Sequence, residues 1–276
     1  MPGIARIVAI GSGKGGVGKS TTAVNVAAAM RALGWRVGIL DADVYGPSVP
    51  TLVGLAGARP ESADGRVIAP LTAHGLKVMS IGFLVAADAA IVWRGPMVSS
   101  ALNQLLREVA WGADGGLDCL IIDMPPGTGD VQLSLAQQAP LTGAVIVCTP
   151  QDLALIDARR AIAMFGKVNV PVLGLIENMS HYICPSCGAR ADIFATGGGR
   201  AEAERTGLAF LGDVPLDIAI REGSDAGAPI VAARPDSPQA AAYFGIAAAL
   251  MRELEAADLR RKPFPKIVIE DEMAAP

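Results

Sequence analysis

The segment that most constrains this chain is Gly13-x-x-x-x-Gly18-Lys19-Ser20, set between a short apolar run, Ile7–Ile10, and an alanine-rich stretch beginning at Lys19. A glycine loop that leaves a buried strand and opens a helix gathers backbone N–H groups around an anion. The glycines remove Cβ clashes, and the helix N-terminus adds its partial positive charge. This is a full Walker A pattern in the strand-to-helix context that confirms it. Within Gly11 to Thr21 it implies an Mg-ATP site. The backbone of Gly13, Lys14, Gly15, Gly16, Val17 and Gly18 cradles phosphate. Lys19 neutralises the β- and γ-phosphates, Ser20 ligates Mg²⁺ and Thr21 reaches the α-phosphate. Lys14 is not required by this cradle. A second lysine inside the loop reads as a charge offered across a dimer interface to the partner's phosphates, the part an arginine finger plays elsewhere.

Around this loop, short β-branched runs alternate with helical patterns. The runs are Ile7–Ile10, Val37–Leu40, Val78–Ile81, Cys119–Ile122, Ala144–Cys148, Val172–Ile176 and Ala209–Leu211. Helices are expected at Lys19–Leu33, Met97–Ala110, Asp152–Phe165, Gly199–Arg205 and Pro238–Ala256. The alternation predicts an α/β fold, one doubly wound, mostly parallel sheet flanked by helices. With 51% apolar residues but only 4% aromatic, the core is expected to be Val, Ile, Leu and Ala, as in a buried parallel sheet. Residues 57–75 read as a Gly/Pro/Ala-rich excursion with a hairpin. Residues 1–260 are expected to form a single P-loop domain, and 261–276 a loosely attached tail.

Two acidic segments fall at predicted strand ends. Asp41-Ala42-Asp43 follows Val37–Leu40, and Asp123 ends Cys119–Ile122 in a Walker B position. Both sites lie at the C-terminal edge of the sheet, beside the phosphates. Carboxylates there suit Mg²⁺, which keeps waters and takes one or two acids directly or through water. The Pro- and Gly-rich stretch from Met124 to Asp130 reads as a stiff segment with hinges that senses the γ-phosphate.

Four cysteines are present. Cys119 and Cys148 fall inside predicted strands and read as small buried hydrophobes. Cys184-Pro185-Ser186-Cys187-Gly188 reads as a polar loop, near 180–190, whose turn points two sulfurs the same way. That is a metal knuckle or, less in keeping with its flanks, a redox pair. Two thiolates do not fill a tetrahedral site. A two-fold dimer would set two pairs face to face and supply four, which fits Zn²⁺ or a [4Fe–4S] cluster; spacing does not choose between them. His181 is a possible further ligand. Gly197-Gly198-Gly199 lacks a following Lys-Ser and reads as a turn into a helix.

The net charge of −4 argues against nucleic acid as the main partner. No apolar run reaches the roughly 18 residues that span a bilayer, and the N-terminus has no signal-peptide pattern, so a cytoplasmic protein without a membrane partner is expected.

Taken together, the glycine loop, Asp41-Ala42-Asp43-Val44-Tyr45-Gly46-Pro47-Ser48, Trp93-Arg94-Gly95-Pro96-Met97, Asp123 to Asp130, Glu177-Asn178-Met179-Ser180, the cysteine pair, Pro215-Leu216-Asp217 and Arg221-Glu222-Gly223 resemble the Mrp/ApbC-type iron–sulfur cluster carrier ATPases. These sit in the deviant Walker A group with MinD, ParA and nitrogenase iron protein. The resemblance implies a MinD-like P-loop NTPase fold and an ATPase that works as a homodimer. It implies a [4Fe–4S] cluster bridged by Cys184 and Cys187 of both subunits, handed to apo iron–sulfur proteins after delivery by a cluster donor. It further implies that Asp43 positions the attacking water, Asp41 and Asp123 support Mg²⁺, Lys14 crosses the interface and Asn178 reads adenine. Many bacterial members carry a small extra N-terminal domain. Here the P-loop strand starts almost at Met1, so any function lodged there is expected from elsewhere. Two other readings stand beside this one: a positioning ATPase of the MinD or ParA type, and a nucleotide-binding module with a structural zinc between subunits.

Overall fold

The computed structural model describes residues 3–62, 67–84 and 95–260. Its centre is a sheet in the order β3-β4-β2-β5-β1-β6-β7-β8, with β9 also on β7. The strands are β1 (Ile7–Gly11), β2 (Val37–Asp41), β3 (Leu71–Ala73), β4 (Leu76–Ser80), β5 (Cys119–Asp123), β6 (Gly143–Cys148), β7 (Val172–Ile183), β8 (Arg190–Ala191) and β9 (Phe210–Leu216). Among these described strands, only the β3–β4 and β7–β8 pairs are antiparallel. Every residue of β1, β2, β5 and β6 is buried, so these strands are uninterrupted apolar runs rather than alternating ones.

Among the described residues, nine α-helices connect or cover the strands: α1 (Lys19–Ala32), α2 (Val49–Leu52), α3 (Gly95–Arg107), α4 (Asp130–Gln138), α5 (Asp152–Lys167), α6 (Gly198–Thr206), α7 (Ile218–Asp225), α8 (Ile230–Ala233) and α9 (Pro238–Arg260). Helix α1 packs with α8 and α9, whereas α3, α4 and α5 pack in sequence. Close packing of helix on sheet is carried by small residues. Ala23, Ala27 and Ala29 of α1 are fully buried, and Gly38 of β2 leaves room for Trp111, Leu117 and Leu120.

The expected doubly wound sheet is present, with local differences. The run Val78–Ile81 becomes β4, ending at Ser80, after which Ile81–Phe83 is a 3₁₀ turn capped by the Ser80 hydroxyl. The stretch after Asp123 enters α4 at Asp130. The hairpin expected in the excursion is present as β3–β4, its second strand running on past residue 75 to Ser80, and residues 63–66 lie outside the described residues. Finally, the cysteine pair does not sit in a loop that starts after Ser180. Strand β7 runs on to Ile183 because Tyr182 pairs with Ala191 of β8 and Leu216 of β9, and Ile183 with Arg190 of β8. Trp93, Arg94 and the tail 261–276 lie outside the described residues.

Gly38 is a direct check on the packing. A Cβ placed there lies 2.7 Å from Leu117 Cδ1 and 3.1 Å from Trp111. Gly38→Val is expected to destabilise the fold by about 1–3 kcal/mol through overpacking. Urea unfolding with an unchanged midpoint would contradict this packing.

Candidate functional site

The register of the central strands assembles the site. Asp41 and Asp123 are Cα partners across β2 and β5, and Asp123 is also the partner of Ile10 in β1. Both carboxylates therefore end beside the glycine loop that leaves β1. The loop is fixed to its neighbours through the backbone. Met124 N–H donates to Ile10 O at 3.0 Å, Gly127 N–H donates to Ser12 O at 3.1 Å, and the Ser12 hydroxyl donates to Lys14 O at 2.8 Å. Gly18 holds the left-handed conformation, φ 78°, that turns the loop into α1. No side chain caps the N-terminus of α1, and its first turn carries no acid. A cavity of about 250 Å³ opens over this loop, walled also by Asp43 and Ser48.

Lys19 is buried and its ammonium lies 2.5 Å from Asp123 Oδ1 and 3.2 Å from Ser20 Oγ. Asp41 accepts hydrogen bonds from Asp43 N–H, Val49 N–H and the Ser80 hydroxyl, each at 3.1 Å. Burial, then repulsion from Asp123, pushes Asp41 up to about 7. Burial likewise raises Asp123, with Lys19 and the Ser20 hydroxyl opposing it. Asp123 Oδ2 is buried and has no hydrogen-bond partner among the described residues. One lysine thus under-compensates two buried carboxylates. Their oxygen donors, with the Ser20 hydroxyl alongside, fit a hard divalent cation such as Mg²⁺. Asp43 is partly buried, and its Oδ1 accepts from Tyr45 and Gly46 N–H at 3.2 and 3.3 Å, which shapes the loop after β2. Lys14 is partly exposed and has no ion-pair partner among the described residues.

Asn178 lies on β7 beside the loop. Its Nδ2 donates to Val17 O at 2.8 Å, and a Cβ at Gly18 would lie 2.2 Å from that nitrogen. Gly18 is thus held to glycine both by its backbone and by this neighbour. The amide expected from the resemblance to read adenine is already in contact with the phosphate loop, a pairing invisible in the sequence.

Farther along β7, Cys184 and Cys187 occupy the tip of the β7–β8 hairpin. Cys184 N–H donates to Ala189 O at 2.9 Å and Gly188 N–H donates to Cys184 O at 2.8 Å. The backbone N–H groups of Cys187 and Ser186 point at the Cys184 sulfur and lower its pKa. Such N–H···S contacts stabilise thiolate, the form that binds metal. Cys187 is exposed. His181 turns inward, with Nδ1 2.8 Å from Ser180 Oγ and 3.7 Å from Asp213. Among the described residues no group of three or more His, Cys, Asp and Glu forms a metal-holding set. Cys119 and Cys148 are buried, and burial pushes both thiols up to about 12, as suits small core residues.

The second glycine cluster is closed from within. Glu177 accepts from Gly197 N–H at 2.9 Å and Gly199 N–H at 2.6 Å, so the N-terminus of α6 already holds a carboxylate. A larger apolar cavity of about 640 Å³ lies beside Ile4, at the N-terminal end of the strands, and is lined by no carboxylate or phosphate loop. Among the described residues, no helix is long and apolar enough to cross a membrane.

The family model described as the ParA, NUBPL iron-transfer P-loop NTPase matches residues 3–251. The chain is 56% identical over 241 residues to an iron-sulfur cluster carrier protein of Escherichia coli K12, covering 87% of this chain and 64% of that one. It is 52% identical to the iron-sulfur cluster transfer protein NUBPL of Mus musculus, covering 92% and 79%. The chain therefore spans just under two thirds of the length of the bacterial relative. A nucleotide-binding protein from Archaeoglobus fulgidus in complex with ADP superposes with a TM-score of 0.74 at 37% identity, covering 87% of this chain and 92% of the other. MinD in the MinC:MinD complex of Aquifex aeolicus superposes at 0.65 with 21% identity, covering 90% and 96%, a likeness of fold.

The buried ion pair makes a pH-dependent prediction. Lys19→Met leaves Asp123 buried beside Asp41 without its counter-charge, which is expected to cost about 3 kcal/mol in the nucleotide-free protein near neutral pH. A carboxyl raised on folding penalises the native state above its unfolded value, and the penalty fades as pH falls and the proton returns. The loss should therefore be larger at about pH 8 than at about pH 5, measured by urea unfolding. An equal loss at both would contradict the assigned burial of uncompensated charge.

Proposed function

The chain belongs to the ParA/NUBPL iron-transfer P-loop NTPase family, and from that membership we propose that it is an ATP-binding and ATP-hydrolysing carrier of iron–sulfur clusters. The observation that carries the reading is the coexistence, on one sheet, of a complete phosphate loop with paired carboxylates and a solvent-facing Cys-x-x-Cys hairpin with thiolate-stabilising N–H groups.

In this reading Gly13, Gly15, Gly16, Val17 and Gly18 wrap the phosphates, Lys19 swings from Asp123 toward them, and Thr21 meets the α-phosphate. Ser20, Asp41 and Asp123 would hold Mg²⁺, which draws charge from the phosphate oxygens when bound. Asp43, in the loop after β2, orients the attacking water. Lys14 reaches a second copy's nucleotide, so each site is completed by the partner in a homodimer. Asn178 reads adenine. The two hairpins of the dimer supply four thiolates, which fit a [4Fe–4S] cargo for apo-protein clients. ATP turnover is coupled to loading or release. The buried state of Cys119 and Cys148 supports assigning the cargo to Cys184 and Cys187 alone. The protein works in solution in the cytoplasm.

Anaerobic reconstitution tests the assignment. Cys184→Ala is expected to lose nearly all bound iron and sulfide while keeping Mg-ATP affinity, since the hairpin tip is remote in sequence from the phosphate loop. Iron and sulfide at the wild-type level in this variant would remove Cys184 from the cargo site.

A further inference from the structure

Strand β7 touches both functional sites. At one end the Asn178 amide donates to Val17 O, and Met179 lies over the same loop, with its Cε 3.7 Å from a Cβ placed at Gly18. At the other end Tyr182 and Ile183 pair with Ala191 and Arg190, and Cys184 follows at once. Between these ends the strand is not regular. Asn178 pairs with Val214 and Tyr182 with Leu216, so β7 carries two more residues than β9 across that interval. Met179 takes up the excess in the left-handed region, φ 56°, which a non-glycine residue seldom adopts.

The bulge is held by one buried hydroxyl. Ser180 Oγ lies 3.1 Å from Asp213 Oδ2, 3.1 Å from Val214 O and 2.8 Å from His181 Nδ1. A hydroxyl has one proton to give, so His181 donates to Ser180, and Ser180 shares its proton between Asp213 Oδ2 and Val214 O on β9. The bulge is thereby anchored to β9 rather than free to flatten. A bulge re-aims the segment C-terminal to it, and here that segment is the cysteine hairpin.

We propose that Met179 and Ser180 are positioning residues, forming an anchored bulge through which the phosphate loop sets the orientation of the Cys184/Cys187 hairpin. A nucleotide that moves Val17 or engages Asn178 displaces the near end of the bulge. Because Ser180 fixes its middle to β9, the displacement appears at the hairpin instead of dissipating in a slack strand. The consequence for cargo rests on the function proposed above; the mechanical link rests only on β7.

Amide hydrogen exchange on the full chain, with and without a non-hydrolysable Mg-ATP analogue, tests this without any metal. In the wild type, exchange across residues 182–191 is expected to change by about fivefold or more when nucleotide binds. Met179→Gly suits the left-handed backbone and so does not endanger folding, while it slackens the bulge. Ser180→Ala removes the anchor. Both are expected to abolish the hairpin response while the analogue still protects residues 11–21, and Ser180→Thr, which keeps the hydroxyl, is expected to retain it. The proposal is overturned if the wild-type hairpin does not respond while residues 11–21 become protected, or if the response survives in both Met179→Gly and Ser180→Ala. Failure of Cys184→Ala to lose iron would overturn the cargo assignment and leave this result standing.

Discussion

A lysine and an aspartate, both buried and 2.5 Å apart, sit where the phosphate loop meets the centre of the sheet. Taking two charges out of water is costly, and an apolar pair of the same volume would serve stability as well or better. The pair makes sense as a resting arrangement. In the function proposed above, Lys19 neutralises Asp123 until phosphate oxygens claim it, and Asp41 and Asp123, both raised chiefly by burial, then take a divalent cation. The sheet order follows from this need. Only with β5 between β2 and β1 do Asp41, Asp123 and the loop after Ile10 end side by side.

The parts of this arrangement that depend on local sequence were legible in it. The glycine loop, the acids at strand ends and the core cysteines are each fixed by a few neighbouring residues. The doubly wound sheet followed from the alternation of apolar runs and helical patterns. Helix α4 was not legible: Pro125, Pro126, Gly127 and Gly129 read as breakers, and the helix that begins at Asp130 has only a weak apolar face. The far half of β7 was hidden for a different reason. The two extra residues break the alternation from Asn178 to Tyr182, and two of the partners that make it a strand, Val214 and Leu216 of β9, lie more than thirty positions away in the chain. The Asn178–Val17 bond was equally hidden, since it joins residues 161 apart. A left-handed methionine leaves no compositional mark.

These hidden features bear on how two chemistries share one chain. The thiolate pair is incomplete alone, because two sulfurs are half of a four-sulfur set, and Lys14 has no ion-pair partner among the described residues. In the proposed function both are completed by a second copy. Inward, β7 joins them. A dimer would therefore bring nucleotide sites and thiolates together in one step, and a bulged strand would let one report on the other.

The central claim is that two chains complete one cargo site. The most direct measurement is the anaerobic native mass of the reconstituted protein together with its iron count. The account predicts a dimer carrying about four iron atoms, or about two per chain, with no clustered monomer. A monomer holding a full cluster, or a dimer that retains zinc and takes up no iron under reconstitution, would contradict it.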